Sequence, residues 1–192
     1  ANSALHPVIE QLERAAGFAG DDSVETRLDK LEALIAPSAS NAATDLALFA
    51  SLLSLPVDRF PPLDLSPQRQ KEDTITALVR HTLRLAETQP VMIIFEDAHW
   101  MDPTTQEALS ALIERVEGAP VLLLVTFRPE FVPPWGNHGH VTTLILNRLG
   151  RRLAWALVAR VTGGRSLPDQ VVDEIVARTD GVPLFVEELT KT

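Results

Sequence analysis

The sequence predicts an α/β fold, and three observations carry that prediction. Val91–Phe95 and residues 121–126 are short, continuously apolar runs of the kind that buried parallel strands require. Between them, Asp102-Pro103 opens a helical pattern with Ala108, Leu109, Leu112, Ile113 and Val116 on one face, closed by Gly118 and Pro120. Strand, helix and strand over residues 91–126 make a βαβ unit, a connection that is right-handed in nearly all proteins.

The chain before this unit reads as helical. Asn2 or Ser3 can cap a first helix with Leu5, Val8, Ile9 and Leu12 on one face. Asp22 with Glu25 three residues on makes a capping box, and Leu28, Leu31 and Ile35 continue that second helix. Residues 41–55 read as a third helix, ended by Pro56, and Phe60-Pro61-Pro62 is a connector. Ser66 then caps a long helix with Pro67 at its first position and a core stripe of Ile75, Leu78, Val79, Thr82, Leu83 and Ala86. After the βαβ unit come a Pro- and Gly-containing loop (129–140), a third expected strand (141–146), helices over 150–161 and 168–178, and a last helix from near Pro183.

Composition narrows the function classes. A chain of 192 residues, 45% hydrophobic, holds one domain with a real core, with room for a small helical appendage. With 17 Lys plus Arg against 26 Asp plus Glu, the net charge of -9 argues against a protein that grips nucleic acid through phosphate contacts. The absence of Cys excludes disulfides and thiolate metal sites and fits a cytoplasmic protein. The longest apolar runs fall far short of the roughly 18 to 20 residues that span a bilayer, so no membrane partner is expected. The chain opens on Ala1 with no signal-like succession, and the natural expectation is a piece of a longer protein.

Chemistry is expected at the carboxyl ends of the two strands, where parallel sheets place their sites. Val91–Phe95 runs into Glu96 and Asp97, and adjacent carboxylates there suit a hydrated Mg²⁺ and an attacking water. The run alone is equally consistent with a solvated acidic turn. Arg128 follows the second strand. His138 and His140 lack a third ligand and read as surface residues, Asp102 as a helix cap, Trp100 as a packing anchor and His99 as a neighbour orienting the acidic turn. Glu187 and Glu188 read as a solvated helix face, and Arg148, Arg151 and Arg152 as a helix-start surface feature.

Three motifs in order carry a resemblance to a known family. Phe95-Glu96-Asp97-Ala98-His99-Trp100-Met101-Asp102-Pro103 resembles the Walker B region of the signal-transduction ATPases with numerous domains, an AAA-like branch of the P-loop NTPases. Leu122-Leu123-Leu124-Val125-Thr126-Phe127-Arg128-Pro129-Glu130 is similar to their sensor strand, in which an Arg at the strand end senses the γ-phosphate. Gly181-Val182-Pro183 is similar to their Gly-x-Pro motif, whose proline packs near the nucleotide base. The likeness is greatest to ATPase regions attached to bacterial class III adenylate/guanylate cyclases and to similar modules of large transcriptional regulators.

The resemblance implies a partial P-loop NTPase sheet, strands 3, 4 and 5 of an order 5-1-4-3-2, in residues 1–146, with the start of a helical lid in 147–192. It implies Asp97, Glu96 and Arg128 as catalytic residues, Gly181 and Pro183 at the nucleotide, and Mg²⁺ held through water by Glu96 and Asp97. Mg²⁺ with ATP or ADP would be the cofactor and ligands of the intact protein, and an effector or cyclase domain its partner. Glu96 departs from the family by standing where many relatives place the Mg²⁺ aspartate. No Gly-x-x-x-x-Gly-Lys-Ser/Thr loop occurs, since residues 159–166 (ARVTGGRS) follow a helix and lack the first Gly and the Lys. A fragment lacking that loop is expected to bind ATP weakly and to be inactive alone, a non-hydrolysing or scaffold module being the alternative. In that sheet order residues 141–146 have lost their partner strand. They are expected to pair anew beside the 121–126 strand or to be completed by a second copy at the exposed edge.

Overall fold

The computed structural model describes residues 4–35, 42–165 and 167–191. The expected caps Asn2 and Ser3, the expected helix start at Asn41, and Ser166 of the rejected loop match lie outside those residues. The chain divides into two compact units, Ala1–Val141 and Thr142–Thr192. No helix among the described residues is long and apolar enough to cross a membrane.

The first unit begins with four helices: α1 (His6–Ala16), α2 (Val24–Ile35), α3 (Ala42–Leu52) and α4 (Pro67–Thr88). Gly17, at φ 70°, ends α1 in the left-handed conformation that glycine adopts without penalty. The capping box expected at Asp22 does not form, and the side-chain cap lies one residue on. Ser23 accepts the Thr26 N–H at 3.1 Å, while the Asp22 carboxylate turns back to accept the Ala19 N–H and pair with Lys30, each at 2.7 Å. A carboxylate offered both a free amide and an ammonium satisfies more of its lone pairs there than at a helix start. At α4 the expected signals operate as read, Ser66 accepting the Arg69 N–H with Pro67 in the first turn.

Helix α3 packs between α2 and α4 and buries Leu46, Ala47, Leu48, Phe49 and Ala50 in succession, as a helix apolar on all sides must. Its Asp45 is buried as well, and burial raises its carboxyl above the usual range against the opposing pull of Arg80, 3.5 Å away, and of Arg84.

The βαβ unit follows as β1 (Val91–Phe95), α5 (Pro103–Arg115) and β2 (Val121–Val125). The strands pair in parallel from Val91 opposite Val121 to Phe95 opposite Val125. Alternation of side chains divides the pair into two faces. Ile93 and Val121 pack against Val79, Leu112 and Val116, and Phe95, Leu123 and Val125 against Leu109, Ile113 and Trp135. On the opposite face Met92, Ile94, Leu122 and Leu124 remain between 45% and 61% exposed.

The third strand expected over residues 141–146 does not form, and the sheet of the described residues has two strands. Leu144, Ile145 and Leu146 are 77%, 81% and 92% exposed, and the segment does not pair anew beside β2. A strand has no internal hydrogen bonds, so an apolar run without a ladder partner has nothing to hold it extended in a sheet.

The second unit packs α6 (Arg151–Val161), α7 (Asp169–Thr179) and α8 (Pro183–Lys191) around Ala154, Val158, Val172, Ile175 and Val186. Arg151 grips Asp173 with two nitrogens and Trp155 adds an indole N–H, holding that carboxyl below its usual range.

Candidate functional site

The acidic turn lies where β1 leaves the sheet. Phe95 ends the strand, Glu96 and Asp97 follow in the open, and Asp97 takes φ 54°, ψ 44°, the left-handed region that Asp enters more readily than most residues. That single residue reverses the chain into a short 3-10 turn, Ala98–Trp100, with Ala98 fully buried beneath it. Asp102 then caps α5 by accepting the N–H groups of Thr104 and Thr105 at 3.0 Å, together with the Thr105 hydroxyl. Partial burial raises the Asp102 carboxyl, but the Thr105 hydroxyl and the backbone donors outweigh it and leave the group below its usual range.

One residue beyond β2 fastens this turn. The Thr126 N–H donates to the Phe95 carbonyl at 2.9 Å, the Thr126 carbonyl accepts the Ala98 N–H at 2.8 Å, and the Thr126 hydroxyl accepts the Asp97 N–H at 3.0 Å. The clamp continues the parallel ladder past the strand ends and stabilises the left-handed residue with a side-chain acceptor. Glu96, Asp97 and Arg128 are thereby held at the same carboxyl end of the sheet, with the Asp97 side chain 73% exposed. Sequence reasoning missed Thr126, because a Thr just past a strand carries no local signal of a bond across 29 positions.

The loop after β2 is anchored by aromatic rings. Phe127 meets Phe131 at 5.5 Å and Phe131 meets Trp135 at 6.1 Å between centroids, and Trp135, 4% exposed, is seated on Leu109 and Ile113. Arg128 is exposed and places its guanidinium carbon 5.8 Å from the centroid of the Trp100 ring. Trp100, expected as a packing anchor, is 71% exposed, and Trp135 performs the packing instead. His99 beside it has both ring nitrogens buried without a hydrogen-bond partner, its Nδ1 standing 3.9 Å from the Asp97 carboxylate.

His140 donates a ring N–H to the Ile113 carbonyl at 2.8 Å and stacks near His138, and no group of three or more His, Asp or Glu among the described residues is placed to hold a metal ion. Arg148 pairs with Asp180 and Arg151 with Asp173, so two of the three clustered arginines are engaged within the second unit. Gly181 and Pro183 belong to that unit. Pro183 is exposed at the start of α8. Gly181 is buried at φ 70°, where a Cβ would collide with the Leu149 carbonyl, and its own carbonyl accepts the Leu149 N–H at 2.8 Å. Close backbone approach and the left-handed φ both demand glycine there.

The AAA ATPase domain family model matches residues 3–125, from α1 through β2. An uncharacterized protein of Rhizobium meliloti (strain 1021) is 29% identical over 191 residues, covering 97% of this chain. The chain spans 18% of the length of that relative. No solved structure matches.

Proposed function

The chain belongs to the AAA ATPase domain family, and on that premise we propose that it supplies the acidic turn and the phosphate-sensing arginine of an ATP-dependent regulatory switch. The Thr126 clamp is the observation that carries this reading. It keeps Glu96, Asp97 and Arg128 together at the carboxyl end of a parallel pair, the end at which α/β sheets bind their ligands.

In this reading Asp97 orients or deprotonates the attacking water, and Arg128 answers to the γ-phosphate. Two exposed carboxylates are hard oxygen donors that fit a hydrated Mg²⁺, so Glu96 and Asp97 would hold the ion through its water shell. The ion would supply charge neutralisation at the phosphates. A phosphate cradle elsewhere in the longer protein completes the site, and carboxylates without it repel ATP, so this chain alone binds ATP weakly and does not hydrolyse it. The open apolar face of β1 and β2 accords with further structure covering the sheet in that protein. Residues 147–192 serve as a lid, with Gly181 shaping its loop and Pro183 approaching the base. ATP turnover or exchange for ADP then switches a cytoplasmic output domain, of the class III cyclase or transcriptional-regulator kind.

A second reading, a nucleotide-binding scaffold without turnover, is favoured by Glu96 in place of the aspartate that the family resemblance leads one to expect. The test is nucleotide discrimination in the full-length protein. Arg128→Ala is expected to erase most of the preference for ATP over ADP in equilibrium titrations. An unchanged preference would remove Arg128 from the sensing role.

A further inference from the structure

We propose that Trp100 is the positioning residue for Arg128, an indole platform that holds the guanidinium in place before a phosphate arrives. The inference rests on reading Arg128 as the phosphate-sensing group. Trp100 is not held by burial. At 71% exposure it contrasts with Trp135 at 4%, so packing does not account for a tryptophan at this position. What the ring does have is two side-chain neighbours. His99 lies 5.2 Å from it between centroids, tilted by 44°, with only 11% of its side chain exposed. Neither nitrogen of His99 is hydrogen-bonded, which leaves its ring as a surface to pack against. Arg128 places its guanidinium carbon 5.8 Å from the indole centroid, within the range of cation-π attraction, for which tryptophan is the strongest of the aromatic side chains.

The energetic logic follows from the length of the arginine side chain. Thr126 fixes the backbone two residues earlier, but the arginine torsions stay free, and ordering them costs binding energy when a ligand must do it. The Trp100 ring is the contact that orders the Arg128 guanidinium. Because Trp100 sits three residues beyond Asp97 in the same turn, the platform ties the sensing arginine to the acidic pair rather than to its own loop alone.

The first test needs no nucleotide. In the 192-residue chain, NMR should place the Arg128 side-chain protons upfield through the indole ring current, and Trp100→Ala should return them to ordinary positions while Trp100→Phe keeps part of the shift. Ordinary positions in the unsubstituted chain would overturn the proposal. In the full-length protein, Trp100→Ala should lower the preference for ATP over ADP by roughly two- to fivefold, the size of an exposed cation-π contact. Trp100→Phe should restore much of that preference, and adding Trp100→Ala to Arg128→Ala should cost nothing further. Additive losses, or no loss from Trp100→Ala where Arg128→Ala has a large one, would refute positioning. If Arg128→Ala itself changes nothing, the sensing role fails, and the ring-current result decides the platform by itself.

Discussion

Residues 46–50 of helix α3 and the strands β1 and β2 are all unbroken apolar runs in sequence, yet the fold treats them in opposite ways. Leu46 through Ala50 are all buried between α2 and α4, whereas each strand half-buries alternate residues and leaves Met92, Ile94, Leu122 and Leu124 open. The difference is one of coverage: α3 is enclosed by its neighbouring helices, while the strands are apolar on two faces and are covered on one. That same half-covered sheet carries the acidic turn, so the least self-sufficient element of the first unit is the one that holds the candidate chemistry.

Stability measurements can break this comparison. Phe49→Ala empties the centre of the helical part and is expected to cost about 3 to 5 kcal/mol in urea unfolding, whereas Ile94→Thr on the open face should stay within about 0.5 kcal/mol. A comparable cost at both positions would show that the open face is in fact covered.

The next effect sharpens the link between the turn and α5. Asp102→Ala removes the acceptor of two backbone N–H groups and is expected to cost about 0.5 to 2 kcal/mol at neutral pH. The folded carboxyl titrates below its unfolded value, so its contribution is present above a pH of about 4 and disappears as the pH falls through the folded pKa. Unfolding of the two chains at pH 7 and at successively lower pH should therefore converge in acid. A gap that stays constant would assign the cost to packing.

The smallest effect concerns the clamp. Thr126→Val keeps the β-branched shape but deletes the hydroxyl that accepts the Asp97 N–H, with an expected cost of about 0.5 to 1 kcal/mol. Faster hydrogen exchange at the Asp97 amide, with α5 unaffected, is the expected result. An unchanged Asp97 amide would mean that the turn holds its shape without Thr126.

Legibility in the sequence tracked how local the cause was. Ser66-Pro67 and Asp102-Pro103 announced their helices because cap and first turn are neighbours in the chain, and the apolar runs announced β1 and β2. The acid pair Glu96 and Asp97 was readable for the same reason, as a polar pair directly after an apolar run. Residues 141–146 misled because an apolar run states only a capacity to pair, and the partner lies outside the run. Asp22 misled because Lys30 and the Ala19 amide competed for it, which spacing alone does not reveal. The contacts of Thr126 with Asp97 and of Trp100 with Arg128 were invisible in the sequence, since both reach across more than twenty-five residues. Gly181 was legible as a motif residue, but the closeness of the Leu149 backbone that requires a glycine there became apparent only in three dimensions.

If the turn after β1 is the hydrolytic end of an ATPase, Mg²⁺-dependent ATP turnover by the full-length protein depends on Asp97. Asp97→Asn should slow turnover by about 10² to 10⁴-fold, as loss of a general base does, while nucleotide affinity stays within a few-fold of the original. Turnover that persists at its original rate in the Asp97→Asn protein would contradict the assignment.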